Sequence, residues 1–101
     1  MSGELDLVEP STVGLNRERL KRVADYAKSY VDNDFMVGTD VLVSRYGKVA
    51  LRESFGFADR EAQRSVGPDQ IWRTFSMTKP IVSVAVMKLV EEGKLRLQDP
   101  L

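Results

Sequence analysis

Apolar residues fall on one helical face from Asn16 onward: Leu20, Val23, Ala24, Ala27, Tyr30 and Val31, with Arg17, Glu18, Arg19, Lys21, Arg22 and Lys28 between them. This spacing predicts an amphipathic helix over 16–33, its body running from about Arg17 to Asp32. Asn16 is its expected N-cap, because an asparagine oxygen accepts a free backbone N–H of the first turn. The residues before it, 1–15, contain the breakers Pro10, Ser11 and Gly14 and read as an irregular lead-in. After the helix the pattern changes period. Val37 to Tyr46 reads as a strand with Val41-Leu42-Val43 at its centre, Gly47-Lys48 as a turn, and Val49 to Phe57 as the returning strand. The expected hairpin therefore occupies 38–57. Its turn, Tyr46-Gly47-Lys48, is read as a hairpin tip and not as a ligand site.

Residues 58–75 form a polar connection broken at Gly67-Pro68, with a possible short strand at Ile71-Trp72-Arg73. From 76 to 92 the apolar positions no longer keep to one face. Ile81, Val82, Val84, Ala85, Val86, Met87, Leu89 and Val90 surround the helix axis, and Gly93 is placed to end it in the left-handed conformation. A helix apolar around its circumference needs cover on every side. One amphipathic helix and a hairpin cannot supply all of it. This imbalance, and the new segment beginning at Gln98-Asp99-Pro100-Leu101, give the expectation that 1–101 is the N-terminal segment of one larger domain. The rest of that domain is expected to lie elsewhere, on another chain if the enzyme is split.

Charge and composition narrow the chemistry. The 15 basic and 15 acidic residues cancel, with no basic stripe, which argues against nucleic acid as a partner. No apolar run approaches the roughly 20 residues of a membrane span, and the acidic start Met1-Ser-Gly-Glu lacks a secretory pattern. A cytoplasmic protein without a membrane partner is the expectation. Cysteine and histidine are both absent. Thiolate chemistry, the commonest zinc ligands and a Ser-His-Asp triad are thereby excluded for this chain. No metal or cofactor is implied.

A different base is available. Ser76-Met77-Thr78-Lys79 is the only Ser-x-x-Lys among eight serines and six lysines. Residues three apart share a helix face, so a lysine amine at 79 can reach a hydroxyl at 76. A serine needs such a neighbour to become a nucleophile, and a lysine serves only when neutral, which desolvation favours. Pro80 restricts the position before it and has no N–H, so the helix is expected to begin at or just before Ser76. The nucleophile then sits at the helix mouth, where free N–H groups and the positive dipole end favour an oxyanion. A serine and a snorkelling lysine on an ordinary core helix would fit the four residues as well.

The surrounding segments decide between these readings. Val41-Leu42-Val43 through Gly47-Lys48-Val49, Gly56-Phe57-Ala58-Asp59, Pro68-Asp69-Gln70-Ile71-Trp72-Arg73, Ser76-Met77-Thr78-Lys79-Pro80 and Leu89 to Pro100 occur in the order and style of the serine β-lactamase-related hydrolases. The chain resembles that family, which holds class C-like β-lactamases, D-Ala-D-Ala carboxypeptidases and family VIII carboxylesterases, from about Gly38 to Leu101. The resemblance implies an α+β fold, the N-terminal part of the β-lactamase/transpeptidase-like fold. It also implies that Ser76 is acylated by an ester, amide or lactam, that Lys79 helps remove its proton, and that the Ser76 backbone N–H is one oxyanion donor. In the family a Tyr-x-Asn motif and a Lys/His/Trp-x-Gly strand complete the site. Neither is present, since Tyr26, Tyr30 and Tyr46 are followed two places on by Lys28, Asp32 and Lys48. The Ser-Met-Thr-Lys-Pro style and the lack of an export signal favour an ester substrate. A β-lactamase, a peptidase or a transesterase uses the same chemistry, and a non-catalytic fragment is the reading of another class. Trp72 and Phe75 are read as packing residues.

Overall fold

The computed structural model describes residues 6–100. Residues 1–5 of the expected lead-in, and Leu101, lie outside the described residues. The chain divides into two units, the second beginning at Ile71.

The first unit is one helix on a small antiparallel sheet. Helix α1 spans Arg17–Asp32, within the range its periodicity marks. Asn16 caps it, its Oδ1 accepting the Arg19 N–H at 3.0 Å. Loss of that acceptor in Asn16→Ala should cost about 1 kcal/mol of stability, read as a lower urea midpoint. Leu20 and Ala24 are buried, Ala27, Tyr30 and Val31 half-buried, while Val23 stays exposed at the edge of the face. The helix ends where Asp34 enters the left-handed region at φ 58°, with Phe35 and Met36 N–H groups both returning to the Tyr30 carbonyl. Aspartate is among the few residues that tolerate this conformation, and Arg60 pairs with its carboxylate at 3.1 Å.

Strand β1, Gly38–Arg45, pairs with β2, Lys48–Asp59, which pairs in turn with the two-residue β3, Arg64–Ser65. The loop between β1 and β2 is Tyr46-Gly47, one residue earlier than its glycine suggests, with Arg45 opposite Lys48. Both loop residues have positive φ, 54° and 73°, which is the geometry whose twist suits a two-residue hairpin. Tyr46 carries the unfavourable angle beside Arg45, which donates to its hydroxyl at 2.9 Å. Past the turn, Val43 faces Leu51 and Ser44 faces Val49, so Ala50 is a bulge residue. The bulge explains how the adjacent Val49 and Ala50 are both buried, at 2% and 5% exposure, where a regular strand would turn one outward.

The lead-in is more ordered than its breakers suggest. Leu7 bridges Val49 in parallel, with the Val8 N–H donating to the Val49 carbonyl at 2.8 Å. Pro10–Val13 then forms a 3-10 turn that buries Pro10 and Val13. Val13, Leu20 and Ala50 make the core, with Val8, Leu15, Val43 and Leu51 around it. A glycine pair closes the opposite end, where Gly38 faces Gly56. Gly56 has φ 78°, and a Cβ there would meet the Val37 carbonyl oxygen and lie 2.9 Å from Val31 Cγ1 of α1. Gly56→Ala therefore combines backbone strain with overpacking. It should destabilise the first unit by about 2 kcal/mol or more, measurable as a shift in denaturation midpoint.

The second unit holds the other helix. Ile71-Trp72-Arg73 is not a strand: it lies outside β1, β2 and β3. A 3-10 turn at Phe75–Met77 leads directly into α2, Thr78–Glu91. Gly93, at φ 71°, ends α2 as its sequence position implies. Its N–H donates to the Val90 carbonyl at 3.0 Å and that of Lys94 to Leu89 at 2.9 Å, the paired bonds of a Schellman cap. No residue of α2 is buried: Ile81 and Val84 keep 67% and 69% of their surface.

Candidate active site at the mouth of helix α2

Ser76 is the middle residue of the 3-10 turn, and Lys79 is the second residue of α2. The division between turn and helix follows from Pro80. An α-type bond onto the Ser76 carbonyl would need an N–H at position 80, which proline lacks. Bonding is tighter instead, the Met77 N–H donating to the Thr74 carbonyl at 3.0 Å. That is the first bond of the turn. The Ser76 N–H lies ahead of it and has no acceptor within the turn, so it is free to donate to an oxygen arriving from outside.

Ser76 and Lys79 are both exposed. They lie three positions apart across the turn–helix junction, but no hydrogen bond between them is formed. Both side chains are therefore solvated, without the desolvation expected of a buried helix mouth. What the chain does provide is position: the serine precedes a 14-residue helix whose first N–H groups and dipole point toward it.

Two features of the turn had no counterpart among the sequence expectations. Phe75 has φ 47°, a left-handed backbone in a bulky non-glycine residue. Such angles persist only where the neighbouring structure holds them, and they concentrate at functional sites. In addition, the Thr74 and Thr78 hydroxyls lie 2.9 Å apart, on either side of Ser76. The four-residue spacing of two threonines was a legible signal for this contact. Nothing in the sequence marks Phe75, because a positive φ is advertised by glycine or asparagine and not by an aromatic residue. Trp72 and Phe75, read from sequence as packing residues, are 44% and 75% exposed, and the Arg73 guanidinium stands 5.7 Å from the Phe75 ring centroid.

Elsewhere, a groove of about 550 Å³ between the lead-in, the start of α1 and β2 is lined by apolar residues such as Val8, Leu20 and Leu51 and by several charges. No serine or threonine lines it, so it offers no hydroxyl nucleophile. Tyr26 and Tyr30 bond to each other through their hydroxyls at 2.8 Å, and this bond with the neighbouring phenol raises the pKa of Tyr30. A phenol acting as base needs the opposite shift.

The Beta-lactamase family model matches residues 23–101, from α1 through the end of α2. The chain belongs to the Beta-lactamase family. Among curated relatives it is similar to esterase EstB of Burkholderia gladioli, 45% identical over 65 residues, which are 64% of this chain and 17% of that protein. It is also similar to an uncharacterized protein of Mycobacterium tuberculosis, 36% identical over 70 residues, 69% of this chain and 18% of the relative. Protein flp of Staphylococcus aureus is 32% identical over 62 residues, 61% of this chain and 12% of the relative. The matched stretch thus spans less than a fifth of the length of each. The α+β elements of the chain are those of the N-terminal part of this family's fold. Among the described residues, no helix is long and apolar enough to cross a membrane.

Proposed function

We propose that this chain carries the nucleophile of a carboxylesterase-like serine hydrolase, active when joined by the C-terminal portion of its domain. The observation that carries the proposal is the placement of Ser76, with a free backbone N–H and a lysine one turn on, at the mouth of α2 inside the segment that matches the family. Ser76 Oγ attacks the ester carbonyl carbon and its proton passes to a neutral Lys79 Nζ. The tetrahedral oxyanion accepts the Ser76 N–H. Its collapse expels the alcohol, which takes the proton, and leaves an acyl ester on Ser76. Water then attacks that ester, releasing the carboxylic acid and restoring the serine. A small-molecule ester is favoured over a lactam or peptide because a similar protein is named an esterase, and we place the reaction in the cytoplasm.

The exposed α2 supports the second part of the proposal. Its uncovered apolar surface fits a helix packed inside a larger domain, whose remaining portion supplies the tyrosine base, the second oxyanion donor and the desolvation that Lys79 lacks here. The same exposure favours a second reading, in which the 101-residue chain is a non-catalytic fragment whose uncovered helix drives association and which turns over no substrate in either form. Turnover of p-nitrophenyl acetate and of nitrocefin, measured on the chain alone and with the C-terminal portion, tests both. Ester hydrolysis in the assembled form only, with little nitrocefin cleavage, is expected. Equal or faster nitrocefin cleavage would overturn the ester assignment.

A further inference from the structure

The turn that carries Ser76 is strained at one residue and tied across by two others. Phe75 holds φ 47°, an angle that costs energy in a residue of its size. Relaxation of Phe75 toward an ordinary backbone would rotate the peptide that carries the Ser76 N–H and displace Oγ. The direct side-chain tie across this segment is the hydrogen bond between the Thr74 and Thr78 hydroxyls, 2.9 Å long. Thr74 lies two residues before Ser76 and Thr78 two after it, at the first position of α2. The bond therefore spans the strained residue and the serine together, in parallel with the Met77 N–H to Thr74 carbonyl bond.

We propose that the Thr74–Thr78 hydroxyl pair is a positioning device that holds the Ser76 turn in its reactive geometry. This inference rests on the assignment of Ser76 as nucleophile. Neither threonine touches the substrate in this role. Each acts through the backbone on either side of the serine, and small displacements of a nucleophile are costly in rate.

The test compares acylation rates of the assembled enzyme, from burst kinetics with p-nitrophenyl acetate, in Thr74→Val, Thr78→Val, the double variant and Thr74→Ser. Valine keeps the shape of threonine and removes the hydroxyl, whereas serine keeps the hydroxyl. Acylation should slow by about tenfold in each valine variant, with substrate KM little changed. The double variant should be no slower than either single one, because both break one bond. Thr74→Ser should recover most of the rate. Should one valine variant fail to fold, the other reads the same bond from its opposite end. A wild-type rate in Thr74→Val or Thr78→Val overturns the proposal, as does a Thr74→Ser variant as slow as Thr74→Val. Multiplicative losses in the double variant overturn it too. Ser76→Ala is run beside them: if that variant still turns over substrate, the nucleophile assignment itself has failed, whatever the threonines do.

Discussion

Ser76→Ala is expected to abolish ester turnover in the assembled enzyme, with a loss of about 10³-fold or more in kcat. Removing the hydroxyl removes the atom that forms the acyl ester, and no other group in the turn replaces it. The Lys79 amine is also a nucleophile by chemistry, but it sits on the second residue of α2, beyond the Ser76 N–H that would receive the oxyanion. The substitution should leave the fold intact. Ser76 is exposed, and among the described residues its side chain makes no hydrogen bond. Circular dichroism and melting temperature should therefore match the parent protein while turnover disappears. Thr74 and Phe75 would be unaffected in sequence, so loss of activity with a preserved fold points to the hydroxyl and not to the turn.

Lys79→Ala should slow acylation by about 10²- to 10⁴-fold, the usual contribution of a general base. Lys79→Arg separates the base from the charge. A guanidinium is never neutral in a protein, so it cannot accept the serine proton. If Lys79 acts as base, arginine should be nearly as slow as alanine. If its positive charge alone mattered, arginine would restore the rate. Stopped-flow release of p-nitrophenol distinguishes the two, and substrate binding should change little in either variant.

Much of this arrangement was legible in the sequence because it is local. The periodicity of Leu20, Ala24 and Ala27 locates α1 and its buried stripe, Asn16 marks its start, and Gly93 marks the end of α2. The Ser76–Lys79 spacing and Pro80 place the serine at a helix mouth without any tertiary information. What escaped depends on partners distant in the chain or on angles that residue type does not advertise. The Leu7–Val49 bridge orders the lead-in through a strand more than forty residues away. The two-residue β3 exists only because β2 offers it an edge, whereas Ile71-Trp72-Arg73 has the composition of a strand and belongs to none. Tyr46 and Phe75 adopt left-handed backbones that their side chains disfavour. The burial of α2 illustrates the limit from the other side. Its composition demands cover, and no residue of α2 is buried.

The central claim is that Ser76 becomes covalently acylated, and site-resolved mass spectrometry tests it most directly. The protein is incubated with a fluorophosphonate, alone and with the C-terminal portion, and then digested and sequenced by fragmentation. One adduct is expected, on the Ser76 hydroxyl, strongest in the assembled form, slowed in Lys79→Ala and absent in Ser76→Ala. An adduct that persists undiminished in Ser76→Ala, or that maps to another residue in the wild-type protein, would contradict the assignment.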